Sequence, residues 1–179
     1  MTTDLPDPPI LPQIPGEGVF RVADVLEGLE AREALQDVAG DYPVKDLLAQ
    51  AHLLCFHGDG YPRVDDHTGH ILCPEAYTRT HEPLIVYLDI LHELVHVRQV
   101  LEGKRVYHFP EPYVTWPTEI EAYRITYDEA RRLELPDAWF WNYLAVPWVD
   151  DEDLIRLGKT IGMSDPADLA SDAKDGVRH

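Results

Sequence analysis

Midway along the chain, the stretch HELVH sets His92 and His96 four residues apart, with Glu93 next to the first. Imidazole nitrogens ligate metals and a carboxylate is a base, so this trio can hold an ion and move a proton beside it. On a helix the two histidines lie about 40° apart around the axis and roughly 6 Å along it, so both rings reach one tetrahedral ion. Glu93 is turned by about 100° from His92 and falls beside such an ion, where a general base takes a proton from water.

HExxH on a helix is the signature of zinc peptidases. The bare pattern arises in roughly one of thirty shuffles of a chain with this composition, so its context decides. Here His92, Glu93 and His96 interrupt a segment dense in Leu, Ile and Val, which predicts a central, buried helix. Buried polar groups need partners, and one metal ion satisfies both histidines.

Catalytic zinc usually has three protein ligands and a water. A ligand six residues beyond His96 would be Glu102, but the sharp turn this requires needs glycine where Gln99 stands. On an unbroken helix Glu102 lies about 9 Å further on and faces away. The following helical stretch, TEIEAYRITYDEARRL, offers two other carboxylates. Glu119 shares a face with Ala122, Tyr123, Thr126, Ala130 and Leu133, the more apolar side. Glu121 shares the polar side with Arg124, Asp128, Glu129 and Arg132. A buried carboxylate is the one that needs a metal, which favours Glu119 and keeps Glu121 as the alternative.

HELVH followed 23 residues later by Glu119-Ile-Glu-Ala122, an E-x-x-A on a helix, resembles the gluzincins. More narrowly, residues 60–130 are similar to the small HtpX-type, ImmA/IrrE-like and minimal gluzincin groups. The resemblance implies a zinc metallopeptidase in which the first glutamate of E-x-x-A, here Glu119, is the third ligand. It also implies a strand ahead of the HExxH helix that takes extended substrate along its edge, with GHILCPEA the candidate. One departure is Tyr123, which stands where HtpX-type sequences carry Asp. Carboxylate support for a ligand histidine must then come from elsewhere, and Asp89, one turn before Glu93, is positioned for it.

In such a site zinc polarises a carbonyl, Glu93 activates water, and the developing oxyanion needs a donor. Tyr107, His108, Tyr113, Tyr123 and Arg124 are within or after the loop joining the ligands. Tyr113 and Tyr123 are the preferred pair, with Tyr123 taken as the catalytic residue beside Glu93. The cluster Trp139, Phe140, Trp141 and Tyr143 fits core packing better than a substrate pocket. Two other functions share these ligands: a non-haem iron enzyme using two His and one Glu, and a regulatory module that holds the metal without hydrolysis.

Several elements must position these groups. Val25, Leu26, Leu29, Leu35 and Val38 predict one helix over 23–38, closed by Gly40, with a short helix over 44–51. HLLCFHGDG and HILCPEA read as strands, the second joined through the turn DDHTGH to YPRV in a hairpin. Pro83 opens the HExxH helix and Gly103 ends it; a second ligand-bearing helix runs from Thr118 to Leu133, and another over DEDLIRLGKTIGM. The expected fold is α+β and zincin-like, a small mixed sheet packed on the central HExxH helix. Its parts are a Pro-rich flexible arm over 1–18, one metallopeptidase domain over 19–163 and a frayed tail over 164–179. The arm could cover the cleft as a latency segment.

The net charge of −18 argues against nucleic acid as a partner and is compatible with a peptide or protein substrate. No run of 18 apolar residues predicts a membrane span. The acidic, Pro-rich first residues differ from a secretory signal, so the expected compartment is the cytoplasm, with Cys55 and Cys73 as a reduced, buried pair.

Overall fold

The computed structural model describes residues 8–107 and 109–166. The chain forms two compact units, Met1–His108 and Phe109–His179. Among the described residues it is a mixed α+β protein with eight α-helices and one four-stranded mixed sheet.

The first unit holds the sheet. Strands β1 (Gly18–Arg21), β2 (His52–Phe56), β3 (Arg63–Val64) and β4 (Ile71–Pro74) lie in the order β1-β2-β4-β3. β1 runs antiparallel to β2, β2 parallel to β4, and β3 antiparallel to β4. The hairpin expected around DDHTGH forms: Asp65 accepts the N–H groups of His67 and Thr68, and Gly69 turns the chain at φ 71°. Cys55 and Cys73 are in register on β2 and β4, both buried as free thiols.

Two expectations are corrected here. The helix over 23–38 is broken into α1 (Val22–Val25), a 3₁₀ turn (Leu29–Ala31) and α2 (Glu33–Ala39). Gly28 takes φ 91°, a left-handed conformation that ends a helix, and Arg32 is extended. The apolar positions are nevertheless the core: Val25, Leu26, Leu29, Leu35 and Val38 are all buried. The edge of β4 is also not open to substrate along its length, because β2 pairs on one side and β3 covers Ile71 and Leu72 on the other. Helices α3 (Val44–Gln50) and α4 (Glu75–Thr80) flank the sheet strands in sequence.

Helix α5 (Pro83–Leu101) packs on α2, β3 and β4. Pro83 occupies its first turn, where a missing N–H costs nothing. Its end is a Schellman motif: Gly103 N–H bonds to Val100 O and Lys104 N–H to Gln99 O, both at 2.9 Å, with Gly103 at φ 75°. Its buried Leu, Ile and Val side chains contribute on the order of 10–20 kcal/mol. That excess lets one helix carry His92, Glu93, His96 and Gln99 buried, although each polar group costs roughly 1–3 kcal/mol if left without partners. No helix of the described residues is long and apolar enough to cross a membrane.

Part of the arm expected over 1–18 falls on residues 1–7, outside the described residues. From Pro8 to Glu17 the arm forms no helix or strand, and Gln13 N–H bonds to Val25 O at 2.8 Å. Pro12 and Ile14 line a small pocket with Thr78, Arg79, Pro83 and Val86, at the start of α5.

The second unit is helical: a 3₁₀ turn (Tyr113–Thr115), α6 (Pro117–Arg132), α7 (Asp137–Leu144) and α8 (Asp151–Ile161). Asp150 caps α8 by accepting from Asp153 N–H at 2.8 Å. Of the aromatic cluster, Phe140 and Trp141 of α7 are buried while Trp139 and Tyr143 are half-buried, and Trp141 packs over Gly158 of α8. Most of the tail over 164–179 lies outside the described residues, from 167 onward.

Candidate metal centre

The first unit presents the histidines. His92 Nε2 and His96 Nε2 are 3.2 Å apart, with the rings nearly perpendicular at 77°. Two nitrogens each about 2.05 Å from one ion at the tetrahedral angle lie about 3.3 Å apart. The helix therefore already holds the pair at ligand separation.

His96 is fixed from its other side. Its Nδ1 bonds to Gln99 Oε1 at 2.8 Å, three residues along the same helix face. The ring of Tyr107 lies 5.9 Å from that of His96, and the Tyr107 hydroxyl accepts Val64 N–H at 3.1 Å. Tyr107 thus ties the wall of the site to β3, a different use from the oxyanion donor considered for it. His108 lies outside the described residues.

Glu93 is buried on α5 near β4. The Cys73 thiol is pushed well up by its hydrogen bond with Cys55, by burial, and by the negative charge of Cys55, Asp89 and Glu93. Asp89 Oδ2 accepts the hydroxyl of Tyr77, a ring stacked on His81 at 3.8 Å. The observed support for His96 is therefore Gln99, which in the sequence served only to exclude a turn. The signal was present: a glutamine three residues after a histidine on a helix shares its face.

The second unit presents the carboxylate. Glu119 is in the first turn of α6, where the helix dipole favours negative charge, and is 2% exposed. Glu121 is half-buried. The face assignment erred at Glu129, expected toward solvent, which is buried and paired with Arg132 at 3.3 Å.

Tyr113 donates to Glu119 Oε2 at 3.0 Å and shares a second 3.0 Å bond with the Tyr123 hydroxyl. Tyr113 has one proton, so giving it to Glu119 makes Tyr123 the donor of the second bond. Burial first, then the neighbouring Tyr123 and Glu119, push the Tyr113 phenol well above its usual range. Trp116 and Trp148 flank the Tyr113 ring at 5.4 and 6.5 Å, and Phe109 lies 5.5 Å from Trp116. This aromatic wall beside the carboxylate was missed in the sequence, where the tryptophans fall in loops without periodicity.

The chain matches no protein-family model, no curated protein and no solved structure. The chemistry therefore rests on the donor groups themselves.

A second cluster, Glu17, His57 and Glu75, also offers three ligand atoms. It is weaker: Glu17 and His57 are exposed, and Glu75 is already held by Arg79 at 2.7 Å.

Proposed function

We propose that the chain is a zinc-dependent peptidase in which His92, His96 and Glu119 hold one ion and Glu93 is the general base. Each of the three is buried, and two imidazoles with a carboxylate are donor types suited to a single metal ion. The observation that carries the reading is the 3.2 Å separation of the two Nε2 atoms on one helix turn. Two nitrogens and one carboxylate oxygen, with no thiolate, suit zinc in an open catalytic site.

A bound zinc ion supplies Lewis acidity, drawing electron density from a peptide carbonyl and acidifying water. Glu93 takes a proton from the attacking water and hands it to the departing amine nitrogen. Gln99 and Tyr113 orient the ligands His96 and Glu119 through 2.8 and 3.0 Å hydrogen bonds. Tyr123, expected as an oxyanion donor, commits its proton to Tyr113 and supports Glu119 in this reading. The same two histidines and glutamate suit an iron facial triad, but that chemistry gives a buried Glu93 no task. The substrate class is a peptide or protein, and free, buried thiols favour the cytoplasm.

Elemental analysis of the purified chain together with cleavage of a peptide library tests the proposal. The expected result is one zinc per chain and hydrolysis that chelation abolishes. Glu93→Gln should keep the zinc and lose about 10²–10⁴ in kcat. A chain that takes up no zinc, or a Glu93→Gln variant that cleaves normally, overturns it.

A further inference from the structure

We infer that Gln99 is a positioning residue: its carboxamide oxygen holds His96 with the ring proton on Nδ1, so that the Nε2 lone pair is aimed at the metal position beside His92. The inference rests on the metal reading above, but its first observable exists in the metal-free chain.

The chemistry of the contact is directional. A carboxamide oxygen can only accept, so the 2.8 Å bond between Gln99 Oε1 and His96 Nδ1 requires the hydrogen on Nδ1. A neutral imidazole has one such proton, and Nε2 is left as the acceptor or ligand atom. This Nε2 faces His92 Nε2 at 3.2 Å.

Burial makes the contact strong. Gln99 is 0% exposed and His96 is 1% exposed, so water does not compete for either group. Gln99 is also fixed through its backbone, because its carbonyl accepts Lys104 N–H at the Schellman end of α5. Little side-chain and backbone freedom remains to be lost on metal binding, and pre-organisation of this kind appears as affinity. A neutral acceptor orients the ring without adding a further carboxylate beside the buried Glu93.

Partners of this kind typically change metal affinity by 10–100-fold when removed. The test uses the full chain as wild type, Gln99→Leu and Gln99→Glu. Long-range ¹H–¹⁵N NMR on the metal-free chain reads the His96 tautomer, and competition with a chromophoric chelator reads zinc affinity. Wild type should carry the proton on Nδ1. Gln99→Leu should lose that preference and bind zinc at least tenfold more weakly, while Gln99→Glu restores the acceptor and both readouts. A merely structural role would move the melting temperature without moving the tautomer.

A wild-type His96 protonated on Nε2 overturns the inference, as does Gln99→Leu binding zinc within twofold of wild type. Should Gln99→Leu fail to fold, the wild-type tautomer and the Gln99→Glu affinity still decide. If wild type binds no zinc, the metal reading falls, and the NMR result alone decides the role of Gln99 toward His96.

Discussion

The hydroxyl of Tyr113 donates a 3.0 Å hydrogen bond to Oε2 of Glu119, and that hydroxyl in turn bonds Tyr123. Tyr113 comes from a 3₁₀ turn ahead of α6, so a loop residue fixes the orientation of a helix carboxylate. Tyr113→Phe keeps the ring and its aromatic contacts while removing the proton. The expected outcome is a loss of zinc affinity of about 10–100-fold with the melting temperature little changed, read by chelator competition and calorimetry. Tyr123→Phe removes only the second link and should weaken zinc binding by less. Equal zinc affinity in wild type and Tyr113→Phe would remove Tyr113 from the ligand support.

Glu119 and Glu121 differ in burial, one 2% exposed and the other half-buried, and the proposed ligand is the buried one. Glu119→Ala should lose stoichiometric zinc, whereas Glu121→Ala should retain it. Elemental analysis of the two purified variants checks this. Zinc retained in Glu119→Ala together with zinc lost in Glu121→Ala would exchange the assignment.

Apolar patterning made β2 and β4 legible as strands as well as the long helices. α5 and α6 were legible because apolar residues recur along them and because Pro83 and Gly103 mark the ends of α5. β1 was not: Gly18–Arg21 has four residues, and only its pairing with β2 makes it a strand. The break at Gly28 was hidden because Leu26, Leu29 and Leu35 fill one core whether or not the helix between them is continuous. His92, Glu93, His96 and Glu119 came from residue type and spacing. Gln99 and Tyr113 did not, because their roles depend on the direction of one hydrogen bond each.

Gly158 sits under the Trp141 ring so closely that a Cβ there would lie 2.0 Å from the ring carbon Cη2. On an exposed helix face, Gly to Ala stabilises by about 1 kcal/mol. At position 158 the sign reverses, because a buried indole must move to admit the methyl group. Gly158→Ala should destabilise the chain by about 1–3 kcal/mol, seen as a lower denaturant midpoint with an unchanged slope. A midpoint equal to or above wild type would show that Trp141 has room to shift.

Asp137, at the start of α7, accepts the Tyr127 hydroxyl at 2.7 Å and Ser164 N–H at 3.0 Å. Burial acts to raise its carboxyl, but the bonds from Tyr127 and Ser164 outweigh it, and the net direction is down. A carboxyl depressed in the folded state contributes stability above its unfolded pKa of about 3.9, and loses it as pH falls through the folded value. Tyr127 is the mirror case. Burial first, then its bond to Asp137, push its phenol up to about 12, so its contribution is complete below the usual value near 10 and fades as pH rises through about 12. The contact should therefore stabilise from mildly acid to mildly alkaline pH and weaken at both extremes. Asp137→Asn should cost roughly 1 kcal/mol on that plateau, a modest figure because the carboxyl is only half-buried. Denaturation curves of wild type and variant across pH should converge as the pH drops below the carboxylate range. A constant gap down to the most acid pH would show that the aspartate charge contributes nothing.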